Sequence, residues 1–318
     1  MGMRKMFKNI LNDVKTIAIG GHIRPDGDCV GSCMGLYQYL KSCYPCIQTD
    51  VYLEEIPDAF CFIEATKEIK HDVAEEKIYD LFIALDCGSS DRLGFSEVLF
   101  EKAKRTFCVD HHISNTGFAD ANEIVPEASS TSELVYRLME DESITKEVAE
   151  CLFLGIVHDT GVFQYSNTAP ETMEVAANLM RKGIASSEII EKTYYEKSYA
   201  QNQILGRSLL ESMMLMDGKC IVTSLSKRQM DFHGVTTRDL DGIVSHLRMT
   251  KGVEVAIFVY ELGVQEYKVS MRSNGKVDVS IIAQYFGGGG HKKAAGLTMN
   301  GTVHDVINNL TKQIELQL

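Results

Sequence analysis

No run of apolar residues in this chain approaches the roughly 20 needed to cross a bilayer. The longest, "CLFLGIV" (151–157) and "LFIAL" (81–85), are bounded within a few positions by charge, so no transmembrane helix and no membrane partner are expected. The start, "MGMRKMFKNILNDVK", lacks the apolar core and small-residue cleavage site of a signal peptide. Met6 also stands where a myristoylation start needs Ser or Thr, and the expected location is cytoplasmic. Positive charge is in deficit, with 32 Lys and Arg against 44 Asp and Glu, a formal net charge of −12. Long polyanions are held by accumulated Lys and Arg contacts, so long duplex nucleic acid is not the expected partner. A short phosphorylated ligand in one local pocket remains open. Paired cysteines are lacking too: nine is an odd number, and without a secretion signal they read as reduced thiols. "CYPC" (Cys43–Cys46) has redox or zinc spacing but no partner pair, and it follows a helix-like stretch instead of opening one. No repeat or low-complexity segment is present.

What the chain does have is length for two ordinary domains, 318 residues at 45% apolar composition. In the first half, "TIAIGG", "IQTDVYL", "DLFIALD" and "RTFCVD" are apolar or β-branched and are separated by helix-like stretches. That alternation predicts an α/β domain, a mainly parallel sheet flanked by helices. From about 128 to 210 the pattern is helical, with segments opening on Ser, Thr or Pro. Strands return in "KCIVTSLS", "VEVAIFVYEL" and "EYKVSMRSN", before a glycine cluster and an amphipathic last helix. The expected organisation is a catalytic domain at 1–197, a helical linker at 198–212 and a smaller α/β domain at 213–318, with the active site in the cleft between the domains.

The ionisable residues gather where apolar runs end. "TIAIGGHIRPDGD" ends in His22, Asp26 and Asp28, "DLFIALD" in Asp86, "RTFCVDHH" in Asp110, His111 and His112, and "GIVHD" in Asp159. Parallel sheets collect ligands beyond the carboxyl ends of their strands, so these stations could meet in one crevice. Any one of them alone is an ordinary turn or cap residue. Together, Asp26, Asp28, Asp86 and Asp159 would repel one another unless cations lay between them, and two divalent ions would cancel four negative charges. His22 and His111 add imidazole, and a mixed carboxylate and imidazole set suits Mn²⁺ better than Mg²⁺, with Fe²⁺, Co²⁺ and Zn²⁺ harder to exclude. Metal pairs about 3.5–4 Å apart serve phosphoryl displacement. "DTG" alone would suggest an aspartic protease, but that chemistry needs two facing carboxylates in a β-rich scaffold and this triplet ends a helical pattern.

"GHIRPDGDCVGS", "ALDCGSSDRLG", "CVDHHISN" and "GIVHDTGVFQYSNT", followed late in the chain by "GGGGHKKAAG", resemble the successive motifs of the DHH phosphoesterase superfamily with its DHH-associated C-terminal domain. The branch most resembled is that of the bifunctional oligoribonucleases and PAP phosphatases (nanoRNases), with cyclic-dinucleotide phosphodiesterases nearby. The resemblance spans nearly the whole chain in motif order. It implies that His22, Asp26 and Asp86 hold one Mn²⁺ and that Asp28, Asp86, His111 and Asp159 hold the other, with Mg²⁺, Co²⁺ or Fe²⁺ as alternatives. Asp86 then bridges, Asp110 orients a neighbouring imidazole, and His112 donates to the substrate phosphate, so that water attacks phosphorus in line without a side-chain nucleophile. In the last domain the resemblance implies that Arg272 of "SMRS" and His291, with Gly288, Gly289 and Gly290, hold the phosphate or sugar of the substrate end. It also implies a homodimer through the first domain.

The expected activity is hydrolysis of very short oligoribonucleotides or dinucleotides to mononucleotides, extending to the 3′-phosphate of pAp, with cyclic di-AMP hydrolysis as the alternative. A family-II-type pyrophosphatase would call for a second domain rich in Lys and Arg in place of "GGGGH". A Walker loop fails because Ala294 follows Lys293. A non-catalytic nucleotide sensor would be expected to lack a ligand, yet all six stand intact, and an aminoacyl-tRNA editing module leaves the first half unexplained.

Overall fold

The computed structural model describes residues 2–73 and 77–318 and divides into two compact units, one up to Glu196 and one from Lys197 to Leu318. In the first unit, β1 (Thr16–Gly20), β2 (Gln48–Tyr52), β3 (Ile69–Lys70), β4 (Leu81–Leu85), β5 (Thr106–Asp110) and β6 (Ala121–Ile124) form one sheet in the order β3-β2-β1-β4-β5-β6. Every neighbouring pair is parallel. The helices are α1 (Gly2–Ile10), α2 (Gly27–Cys43), α3 (Glu97–Lys102), α4 (Thr131–Leu138), α5 (Lys146–Asp159), α6 (Pro170–Arg181) and α7 (Ser186–Ile190). Both faces of the sheet are covered, which is why "LFIAL" has no polar alternation. Ile83 and Leu85 pack under α2, α4 and α5, and Phe82 and Ala84 pack with Leu99 and Phe100 of α3. Strands β3 and β6 were not anticipated from sequence. They are the two edges, short and polar, so they lack the apolar run that marks the central strands.

Strand order reverses between β1 and β4, and the crevice beyond their carboxyl ends is where a parallel sheet accepts ligands. Two helices meeting there lie unusually close. Gly27, Gly31 and Gly35 recur every fourth residue along α2 and so share one face. A Cβ on Gly31 would come within 2.5 Å of the Cys151 carbonyl oxygen, and one on Gly155 within 2.6 Å of Asp28 Oδ1. Only glycine permits this approach, and it brings the start of α2 to the end of α5.

The second unit contains α8 (Tyr199–Leu210), β7 (Met213–Leu215), β8 (Cys220–Leu225), α9 (Lys227–His233), α10 (Ile243–Arg248), β9 (Val255–Gly263), β10 (Glu266–Ser273), α11 (Val279–Tyr285), β11 (Gly289–His291), β12 (Ala294–Asn300) and α12 (Val303–Glu315). Its sheet runs β11-β12-β10-β9-β8-β7, with only β8 and β9 parallel. On one face Val222, Ile257, Met271 and Leu297 pack against α11 and α12. On the other, Ile221, Ala256 and Phe258 pack with α10 and with Ile204 of α8. Beyond that cover, Ser270, Arg272, Ala294 and Gly296 stay partly exposed. The sequence reading missed β7, β11 and β12; the glycine run in β11 masks a strand that has almost no side chains to pack.

Candidate active site

Four strand or helix ends deliver the side chains. Past β1, His22 is buried and its Nδ1 donates to the Ile23 carbonyl at 2.8 Å. Its Nε2 therefore faces the carboxylates of Asp86 (Oδ2, 3.4 Å) and Asp26 (Oδ1, 3.6 Å). Asp26 caps α2 by accepting from the backbone N–H groups of Asp28 and Cys29, both at 3.1 Å, and its side chain remains 61% exposed. Asp28, in the first turn of the same helix, is buried and accepts from Thr131 N at 2.6 Å and Ser132 N at 2.9 Å at the start of α4.

Asp86 follows β4 directly, with φ of 53°. A non-glycine residue in the left-handed region costs about 1–3 kcal/mol and persists where its surroundings over-determine it. Here the Asp86 N–H donates to the Val109 carbonyl and Oδ1 accepts from the Thr131 hydroxyl, each at 3.1 Å. The two carboxylate oxygens point to different imidazoles: Oδ2 to His22 at 3.4 Å, and Oδ1 to His111 Nε2 at 3.8 Å. His111, past β5, anchors Nδ1 on the Ala128 carbonyl at 3.3 Å and presents Nε2 to Asp159 (3.1 Å) and Asp28 (4.0 Å). Asp159, the last residue of α5, is tied in place through its own carbonyl, which accepts from the Asn167 amide at 3.1 Å.

Asp110 is fully buried and supports His112. Its Oδ1 accepts from His112 Nδ1 and its Oδ2 from Asn115 Nδ2, both at 2.7 Å. Asn115 in turn donates to the Cys87 carbonyl and accepts from Gly117 N. Burial opposes charge on Asp110, but these partners hold its carboxyl below the usual range, and Asp110 raises His112.

The remaining electrostatics call for cations. Burial, then Asp86 and Asp159, push Asp28 well above the carboxylate range, and burial raises Asp159 against the pull of His111. Burial alone would favour neutral imidazoles, yet Cys29 with Asp26 and Asp86 pushes His22 up to about 12, and Asp159 with Asp28 and Asp86 pushes His111 up to about 10. Protons are thus retained where the negative charge concentrates, and divalent ions would displace them. Among the described residues, donor atoms lie within 4.8 Å of one another in three groups that could hold a metal: His22–Cys29–Asp86, Asp86–His111–His112 and Asp28–His111–Asp159. His22, Asp26, Asp28, Asp86, His111 and Asp159 are thus brought together in the first unit. Cys29, Asn115, Thr131 and Ser132 were not assigned from sequence. Asn115 sits in "HHISN" and could have been found as a polar residue five positions past Asp110. Thr131 and Ser132 donate backbone N–H groups to Asp28, for which residue identity carries no signal, although the Thr131 hydroxyl on Asp86 does depend on the side chain.

In the second unit, Arg272, Ala294 and His291 are paired in one row across β10, β12 and β11, and Ser270, Gly296 and Gly289 form the adjacent row. Directly paired residues share a face, and two strand spacings put Arg272 and His291 roughly 10 Å apart. Their side chains flank a shelf of small residues. Gly290, at φ of 143°, would place a Cβ 2.5 Å from the Ala294 oxygen, and Gly288 would run into Gly296 and Leu297, so the hairpin itself demands both. Gly289 faces open space.

Residues 16–156 match the DHH family, N-terminal domain, and residues 217–318 match the DHHA1 domain. The chain is 31% identical to the bifunctional oligoribonuclease and PAP phosphatase NrnA of Thermus thermophilus over 90% of its own length and 84% of that protein's. It is 25% identical to the protein of the same name from Bacillus subtilis, covering 89% of each. Among solved structures, an exopolyphosphatase-related protein from Bacteroides fragilis superimposes with a TM-score of 0.92 at 28% identity, over 99% of this chain and 96% of that one. A parallel sheet that gathers aspartates and histidines at its switch point, a second mixed-sheet unit and these matches together place the chain in the DHH family of metal-dependent phosphoesterases, as a DHH–DHHA1 hydrolase of phosphoester bonds.

Proposed function

We propose that the protein hydrolyses very short oligoribonucleotides and dinucleotides to mononucleotides, and removes the 3′-phosphate of pAp, as a two-Mn²⁺ enzyme. The observation that carries this reading is Asp86, whose two oxygens face two separate imidazole and carboxylate groups. His22, Asp26 and Asp86 would hold one ion, and Asp28, Asp86, His111 and Asp159 the other. Two divalent ions held there supply a water-derived nucleophile at neutral pH and neutralise charge growing on the phosphoryl oxygens. The protein's own part is orientation. Asp110 fixes the His112 ring through Nδ1 and favours its protonated form, leaving Nε2 to face a substrate phosphate. In the domain at 213–318, reached through the helical stretch at 198–212, Arg272 and His291 grip the substrate's phosphate or sugar, with Gly288 and Gly290 shaping the hairpin and Gly289 leaving room for close approach. The location proposed is the cytoplasm, and the assembly a homodimer through the domain at 1–197.

The test is a metal-stripped enzyme given Mn²⁺, Mg²⁺, Co²⁺ or Fe²⁺ and offered pApA, RNA of two to five nucleotides, cyclic di-AMP, pAp and pyrophosphate. Activity is expected to vanish on chelation, to return best with Mn²⁺, and to favour pApA and short RNA. Turnover of pyrophosphate alone would overturn the reading, and preference for cyclic di-AMP would replace the substrate. Loss of Arg272 removes a charged donor worth about 1.5–3 kcal/mol, so Arg272→Ala is expected to raise KM for pApA roughly tenfold or more while kcat changes little. A fall in kcat at constant KM would place Arg272 in the chemical step instead.

A further inference from the structure

Beyond Asp159, the chain does something costly. Gly161, Val162 and Phe163 all adopt left-handed backbone angles, with φ of 56°, 57° and 63°. For the β-branched Val162 this is a true outlier. Thr160 holds the reversal: it is buried, its hydroxyl donates to the Ile156 carbonyl at 2.6 Å and accepts from Phe163 N at 3.0 Å, and its carbonyl accepts from Tyr165 N at 2.9 Å. The result is to lay the Tyr165 ring against the backbone of Gly161, where a Cβ would overlap it. The ring nonetheless remains 42% exposed.

A second irregular element meets the first. Glu191–Tyr195 is a π-helix, closed by Glu196 N donating to the Glu191 carbonyl at 2.7 Å; such segments are rare and concentrate at functional sites. It sets the Thr193 hydroxyl 3.0 Å from His158 Nε2, stacks Tyr194 edge-on to His158 and Tyr195 edge-on to Tyr194 at centroid distances of 5.6 and 5.3 Å, and leaves the Tyr194 hydroxyl 3.5 Å from that of Tyr165. His158 immediately precedes Asp159, and its ring occupies the space a side chain at position 27 would need, between Asp26 and Asp28. Tyr194 therefore stands one ring, that of His158, away from the start of α2 between Asp26 and Asp28, and Tyr195 stands one ring further out. Tyr195 is 54% exposed. Val162 and Phe163 turn onto the core, with the Phe163 ring 6.2 Å from that of Phe153, but that packing does not account for a strained turn and a π-helix meeting at Tyr165 and Tyr195, both well exposed.

We propose that Tyr165 and Tyr195 form a stacking platform for a nucleobase attached to the phosphate being cleaved, the base lying on the open ring faces while its phosphate reaches the aspartate and histidine cluster. This deepens the oligonucleotide reading and rests on it. Aromatic stacking is tolerant of base identity because every base has a π-face, which suits an enzyme of short mixed-sequence fragments.

Tyr165→Ala and Tyr195→Ala are expected to raise KM for pApA on the order of 10- to 100-fold, the range of base stacking, with kcat little changed; Tyr165→Phe keeps the ring and should behave as wild type. Two abasic analogues of pApA, one lacking each base, supply the other half of a cycle. Wild type should lose the same factor on one of them, and Tyr165→Ala should lose nothing further on that analogue. Equal losses for the variant on pApA and both analogues, or an unchanged KM, would overturn the platform. If wild type turned over no dinucleotide, the phosphodiesterase reading would fail separately. Titration with a 2-aminopurine dinucleotide would still decide the platform, since stacking quenches its fluorescence, and a quench that survives in Tyr165→Ala would refute it.

Discussion

Asp86→Asn is expected to lower kcat/KM for the preferred dinucleotide by at least about 10³-fold, beyond the 10–100-fold typical of losing an outer-shell partner. It should also reduce the metal bound at saturation below two ions per chain. The asparagine variant is the informative one because Asn tolerates the left-handed backbone that Asp86 adopts, so the charge is removed while the turn is kept. Asp86→Ala should lose activity equally and, lacking the polar side chain that lets Asp and Asn hold a φ of 53°, should also melt earlier. Metal content by elemental analysis and steady-state rates check both. Retained turnover in the asparagine variant would sink the bridging role, and retained two-ion stoichiometry would show that the ions do not share this carboxylate.

Gly31→Ala is expected to destabilise the first unit by about 1–3 kcal/mol, the range for overpacking a tight contact. For a unit of this size that is a fall in Tm of roughly 2–12 °C. The added methyl would sit 2.5 Å from the Cys151 carbonyl, an atom of a helix backbone that cannot rotate away, so α2 and α5 must separate. Gly155→Ala should do this and also strike Asp28, whose Oδ1 lies 2.6 Å from the new Cβ, lowering kcat in parallel with stability. Gly206, inside α8 with no heavy atom within 4 Å of its missing Cβ, is the control. Gly206→Ala should raise stability by about 0.5–1 kcal/mol through helix propensity. Thermal melts of the three variants decide the matter; a Gly31→Ala protein as stable as wild type would show that the close crossing is not needed.

The central strands and their terminal residues were legible because burial on both faces writes itself as "LFIAL" and "TFCVD", and a charged residue ending such a run is conspicuous. So was the gathering of six candidate metal-holding residues: His22, Asp86 and His111 follow parallel strands whose ends topology places together, while Asp26, Asp28 and Asp159 stand at ends of helices that flank the same sheet. The supports around them were not. Asp28 is held by the peptide N–H groups of Thr131 and Ser132, and a backbone donor carries no signature in the side-chain alphabet. The choice of His112 over His111 as the partner of Asp110 depends on how adjacent side chains diverge where a strand ends, which composition does not record. The glycines of α2 have a visible spacing, but only the position of α5 makes it meaningful. In "GGGGH" the sequence could not separate glycines that the hairpin requires, Gly288 and Gly290, from Gly289, which it does not.

The order β3-β2-β1-β4-β5-β6 also governs how the chain is made. As it emerges from the ribosome, β1, β2 and β3 can pair as soon as residue 70 is available, building outward in one direction. The other side of β1 then stays unsatisfied until Leu81–Leu85 arrives to take it. During that interval the nascent domain presents an open edge bearing Ile17 and Ile19, the kind of surface that recruits strands from other chains. The switch point beyond which the aspartates and histidines gather is thus also the joint at which the growing sheet reverses its direction of building.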